Sequence, residues 1–155
     1  MSKLENNAMF VERLLPVAHA KLATIAIDAP LIEAAKILRA GTDLVIVCGS
    51  TGILAGVITK TDVVNQMSTC GGSNCTSAAS FAMTRDVVSC QPGDLLRDVW
   101  ATMKVRGLKN IPVVDMDLRP LGVLYARDIL QVLLEESTVE ETILRDYVMG
   151  IGYLN

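Results

Sequence analysis

The chain has 155 residues, 51% of them hydrophobic and 20% charged, with a net charge of −3. That balance describes a packed globule rather than a disordered chain and leaves no basic footprint for nucleic acid. No apolar run nears the roughly 20 residues of a membrane span and the polar start at Met1-Ser2-Lys3 is unlike a signal peptide, so we expect a soluble, cytoplasmic protein.

In chain order, residues Ala8 to Leu15 read as a short helix stopped by Pro16. A strand is expected at Lys21 to Ile25. Asp28-Ala29-Pro30 then opens a helix as a capping residue and an early proline should, with Leu31, Ala34, Ala35 and Leu38 on its buried face and Gly41 at its end. Leu44 to Cys48 is an unbroken apolar strand, Gly49-Ser50-Thr51-Gly52 a hairpin turn, and Ile53 to Ile58 the next strand, followed by a helix through Val63 to Met67. Residues 69–80 are small and polar and read as a linker.

The same order then returns. Asp86 to Cys90 is the expected strand, and Pro92-Gly93-Asp94 opens a helix with Leu95, Val99 and Met103 inward and Trp100 beside them as core. Ile111 to Val114 is a strand, Asp115 to Pro120 a turn, Leu121 to Tyr125 a strand, and Ile129 to Leu134 a helix. Ser137 and Glu140 are spaced as a capping box for a last helix with Val139, Ile143, Tyr147 and Val148 on one stripe. The fold class is therefore α/β (α+β). Two tandem β-α-β-β-α units, 9–68 and 81–136, pack sheet to sheet about a pseudo-twofold axis, with extra helices at the termini, the last in 137–155.

The repeat centres on Gly56-Val57-Ile58-Thr59-Lys60-Thr61-Asp62 and Gly122-Val123-Leu124-Tyr125-Ala126-Arg127-Asp128, 66 residues later. In each a strand ends at a small polar loop and enters a helix, where free backbone N–H groups and the positive end of the helix dipole can meet an anion. Thr59 can donate a hydroxyl to phosphate, and Asp62, an acceptor only, suits the paired hydroxyls of a ribose. The same pair also fits a capping box that does no more than satisfy the helix start. Tyr125 cannot cap in that way, yet an aspartate persists at Asp128, which points beyond capping.

Other chemistry is sparse. Cys48 and Cys90 lie in strand-like runs and read as small buried hydrophobes. Cys70 and Cys75 flank a glycine-rich loop and stay open between plain loop thiols, a disulfide or redox pair, and half of a metal site, for which four ligands would be wanted. The lone histidine, His19, aligns with Thr84 before a strand and reads as a packed or solvated residue. There is no phosphate-binding loop with its lysine and no dinucleotide-binding glycine fingerprint, so the sequence argues against an enzyme.

The two motif copies, the order of elements, and Ile111-Pro112-Val113-Val114-Asp115 together resemble a tandem pair of CBS domains, the domain named for cystathionine β-synthase. The resemblance covers about residues 9 to 136. It implies a regulatory module that binds an adenosine-containing ligand (AMP, ADP, ATP, NAD(H) or S-adenosylmethionine) in clefts between the two domains, with no catalytic cofactor or metal. Carried over residue by residue, it implies one site from Thr59, Thr61 and Asp62 with Asp86, Val87 and Val88. A second would use Asp128, Arg127 and Lys109 with Lys21, Leu22 and Ala23, lined by Ile111 and Pro112. Tyr125 stands where the family has a small hydroxyl residue, and Asp43 aligns with Lys109, so each site departs from the pattern differently. The resemblance further implies a homodimer and an unknown regulated protein acted on in trans. A ligand-free module for dimerisation or partner docking is the alternative.

Overall fold

The computed structural model describes residues 10–69 and 77–136. The helix expected beyond Ser137, and the Cys70 and Cys75 thiols, lie outside the described residues.

Helix α1 (Leu15–Ala20) follows a tight helical turn at Val11–Leu14. Pro16 does not stop this helix as expected. It occupies the first turn, where a missing N–H leaves no intrahelical bond unmade. The first unit then runs through β1 (Thr24–Ala26), α2 (Leu31–Arg39), β2 (Val45–Cys48), β3 (Leu54–Ile58) and α3 (Lys60–Thr69). β1 pairs parallel with β2, and β2 antiparallel with β3. Helix α2 buries Leu31, Ala34 and Leu38, the stripe expected of its spacing. Its start is set by Pro30 with no side-chain cap, so Asp28 is not the capping residue.

The second unit repeats this with α4 (Leu96–Arg106), β4 (Asn110–Val114), β5 (Pro120–Tyr125) and α5 over 126–136. Two expectations fail here for identifiable reasons. Asp94 does not open the helix: its carboxylate accepts the Gln91 N–H at 2.8 Å and closes a turn. Leu96 therefore leads the inward face, while Leu95 is 38% exposed. The strand expected over Asp86 to Cys90 is reduced to one bridge, Cys90 beside Val113. In the first unit the Ile46 N–H donates to the Ala23 carbonyl at 2.8 Å. Pro112 stands at the position of Ile46 and has no N–H to give Val88, so the ladder stops after the Cys90 bonds to Pro112 and Val114.

The strands look uniformly apolar in sequence because both faces are buried. Val45, Val47 and Ile58 turn towards the helices of their own unit, whereas Ile46 and Val57 meet Val123 and Tyr125 of the other unit in a shared layer. The units thus pack sheet to sheet, as the repeat implies.

Each unit is also completed by the segment that precedes the other. Val11, Leu14 and Ala18 belong to the core of the second unit with Leu96, Met103, Ile111 and Leu124, and the Val11 N–H donates to the Asp94 carbonyl at 2.9 Å. Ala79 and Met83 belong to the core of the first unit. Residues 77–80, expected as linker, are bonded into it: Leu31 donates to Ser77 at 2.7 Å and Ala79 to Ala29 at 2.7 Å.

These crossings explain the glycines of the repeated motif. A Cβ on Gly56 would lie 2.8 Å from the Thr84 carbonyl oxygen, and one on Gly122 would lie 2.5 Å from the carbonyl carbon of Ala18. Because the obstacle at Gly122 is backbone, Gly122→Ala should destabilise the protein by about 1–3 kcal/mol through overpacking. The melting temperature should fall by several degrees, and calorimetry checks it. Burial, with Asp94 adding to it, pushes the Cys90 thiol up to about 12, whereas Cys48 is only half-buried. In a Cys70→Ser/Cys75→Ser variant, a thiol reagent at pH 8 should modify Cys90 only when the protein is unfolded, as counted with and without urea.

Candidate functional site

At the junction of β3 and α3 the chain passes from strand to helix through Thr59. The Thr59 N–H donates to Asp62 Oδ2 at 2.9 Å, the Thr59 hydroxyl donates to the same oxygen at 3.1 Å, and the Asp62 N–H reaches back to Thr59 Oγ1 at 3.4 Å. The capping box is therefore real. Asp62 does more than cap: Oδ1 accepts the Thr84 hydroxyl at 3.2 Å, tying the helix start to the crossing segment. Three neutral donor groups hold this carboxylate, which has about four lone-pair sites.

Asp62 stands on the wall of a cleft of about 810 Å³. Thr59, Lys60 and Thr61 form the same wall, Thr84, Asp86, Val87 and Val88 come from the crossing segment, and Arg106 to Asn110 and Pro112 come from the second unit. Lys60, Arg106 and Lys109 offset Asp43, Asp62 and Asp86, so the lining carries no net charge. All six residues grouped for the first site meet here. Lys109 and Pro112, grouped with the second site, line this cleft instead, and Ile111 is in the core of the second unit. Asp43 and Lys109, aligned in the repeat, share one cleft. Sequence reasoning missed Thr84, Lys60 and Arg106 as lining residues. Thr84 carried no local signal, since only the crossing brings it to Asp62.

The corresponding junction in the second unit is built differently. Lys21, at the end of α1, donates to Asp128 as an ion pair, with the two side chains 25% and 22% exposed. The Lys21 ammonium also lies 4.0 Å from the centroid of the Tyr125 ring, and the Arg127 guanidinium lies 4.8 Å from it. Tyr125 is only 5% exposed, and its hydroxyl accepts the Asp43 N–H at 3.3 Å. The first turn of α5 is held by the Ala126 N–H donating to the Lys109 carbonyl at 2.8 Å. Leu22 packs in the layer between the units, Ala23 serves the β1–β2 ladder, and His19 Nδ1 lies 3.1 Å from the Leu121 carbonyl oxygen at the surface.

The sequence matches the CBS domain family over residues 11–69 and again over 78–135. The chain belongs to the CBS domain family. As a CBS pair it is a regulatory module by family. It is 24% identical over 139 residues to the choline transport ATP-binding protein OpuBA of Bacillus subtilis, covering 89% of this chain and 35% of that one. It thus spans about a third of the length of that relative. Among solved structures, the CBS-domain protein ATU1752 of Agrobacterium tumefaciens matches with a TM-score of 0.68 at 26% identity, over 81% of this chain and 93% of that chain. The CBS pair of protein MJ0100, in complex with 5′-methylthioadenosine and S-adenosyl-L-methionine, matches with a TM-score of 0.66 at 22% identity, over 79% and 96%.

Among the described residues no group of three or more His, Cys, Asp or Glu could hold a metal, and no helix is long and apolar enough to cross a membrane. Removing the cap tests the local construction: Thr59→Ala should lower stability by about 1 kcal/mol. A smaller midpoint in urea with an unchanged slope is the expected reading.

Proposed function

We propose that this CBS pair binds an adenosine-containing small molecule in the Asp62 cleft and reports its level to a separate protein. The observation that carries the reading is the Asp62 carboxylate. It stands on the cleft wall beside a helix start and, among the described residues, is held by neutral donors. A ribose diol can take the place of the Thr84 hydroxyl without leaving a charge unpaired. In the same cleft the stretch through Val87 and Val88 offers backbone polar groups and apolar surface to an adenine, and Lys60, Arg106 and Lys109 offer charge to a phosphate or carboxylate. The adenosyl ligands of MJ0100, a protein of the same fold, support this class. The module acts as a homodimer without chemistry of its own, and the kinship to a transport protein makes a transport system one candidate for the regulated partner.

A thermal-shift panel of AMP, ADP, ATP, NADH, S-adenosylmethionine and 5′-methylthioadenosine, with GTP as control, tests the reading. A ligand at 100 times its dissociation constant should add about 2.7 kcal/mol of stability, a rise of several degrees for a chain of this size. The rise should vanish in Asp62→Ala. A flat panel at millimolar ligand would overturn the adenosine reading and favour a ligand-free docking module.

A further inference from the structure

The two halves of the repeat place one aspartate each at the same junction, but the structure surrounds them with opposite chemistry. Asp62 is held by the Thr59 N–H, the Thr59 hydroxyl and the Thr84 hydroxyl, all neutral. Asp128 is held by the Lys21 ammonium. We propose that Lys21 closes the second junction to ligand, so that each chain takes up one adenosine-containing molecule, at the Asp62 cleft. The stoichiometry rests on the adenosine reading of that cleft, whereas the closure rests on Lys21 itself.

Three observations carry the proposal. A ribose diol brings only neutral hydroxyls, so at Asp62 it exchanges like for like. At Asp128 it would have to part a carboxylate from an ammonium and leave both charges partly buried and unmatched. Second, Lys21 is held twice, by the carboxylate and by the face of Tyr125 at 4.0 Å. The ring in turn is anchored at its hydroxyl, which accepts the Asp43 N–H, and is buried to 5% exposure, so the position matching Thr59 presents a buried aromatic ring in place of a small exposed hydroxyl.

The third observation identifies the difference in sequence. In the repeat, where His19 aligns with Thr84, Lys21 aligns with Asp86. Asp86 lines the Asp62 cleft, and an acid there cannot neutralise a carboxylate. One aligned pair of residues therefore makes one junction self-compensating and leaves the other open. The ammonium is delivered by the end of α1, a helix that packs against Gly122 through Ala18, so the closure is built into the packing.

Titration calorimetry with S-adenosylmethionine and with ATP tests this on the wild type, Lys21→Met and Lys21→Arg. The wild type should bind one molecule per chain and Lys21→Met two. The added site should weaken at least tenfold when Asp128→Ala is combined with Lys21→Met. Lys21→Arg, which keeps the charge, should stay at one. Lys21→Gln, a milder change at the same partly buried position, should follow Lys21→Met and covers the case in which methionine impairs folding. Two molecules per wild-type chain, or no more uptake by Lys21→Met and Lys21→Gln than by the wild type, would overturn the closure. Failure of the adenosine reading of the first cleft shows separately, as no uptake by the wild type. Uptake of one molecule by Lys21→Met would then still support the closure.

Discussion

The structure depends on two close approaches of backbone to backbone. The crossing segments lie against β3 and β5 so tightly that only glycine fits at Gly56 and Gly122. At the first, Val57 and Thr84 exchange both N–H bonds, at 3.0 and 2.8 Å. Those contacts bring Thr84 to Asp62. At the second, Ala18 sits fully buried on β5, and α1 is aimed so that Lys21 meets Asp128. Each junction is therefore finished by a residue from the segment that precedes the opposite unit. The identity of that residue decides the electrostatics.

Mutual completion also makes the two units one cooperative body. The first unit lacks Ala79 and Met83 of its core without the segment after α3, and the second lacks Val11, Leu14 and Ala18 without the start of the chain. The layer between the sheets, from Leu44 and Ile46 to Val123 and Tyr125, adds a third apolar contact. Small units of this size bury too little surface alone, and sharing a core and exchanging cover segments removes that deficit. The cleft is lined by the helix start of one unit and the β4 entrance of the other, so it spans the junction between the two.

The repeat, the order of strands and helices and the family were legible in the sequence because they rest on periodic burial and turn chemistry, which are local. The stripe Leu31, Ala34, Leu38 and the turn at Gly52, with its positive φ, are of this kind. The grouping of Thr59, Thr61 and Asp62 with Asp86, Val87 and Val88 came instead from the family resemblance, and these six residues line one cleft. The departures have physical causes that a linear reading does not weigh. Pro112 withholds an N–H from a neighbouring strand that only the fold supplies, and Asp94 spends its carboxylate on a turn.

By itself the sequence determined two α/β units, apolar strands buried on both faces, glycines at Gly56 and Gly122, and an aspartate at each helix start. The tertiary structure alone decided which segment covers which unit, that Lys109 and Pro112 line the Asp62 cleft, and that, among the described residues, Lys21 neutralises Asp128 while neutral donors hold Asp62. The reason is range. Periodicity and capping act over a few residues and are written in neighbouring letters. The partner of a carboxylate 107 positions away is selected by packing of whole segments, and no local pattern carries it.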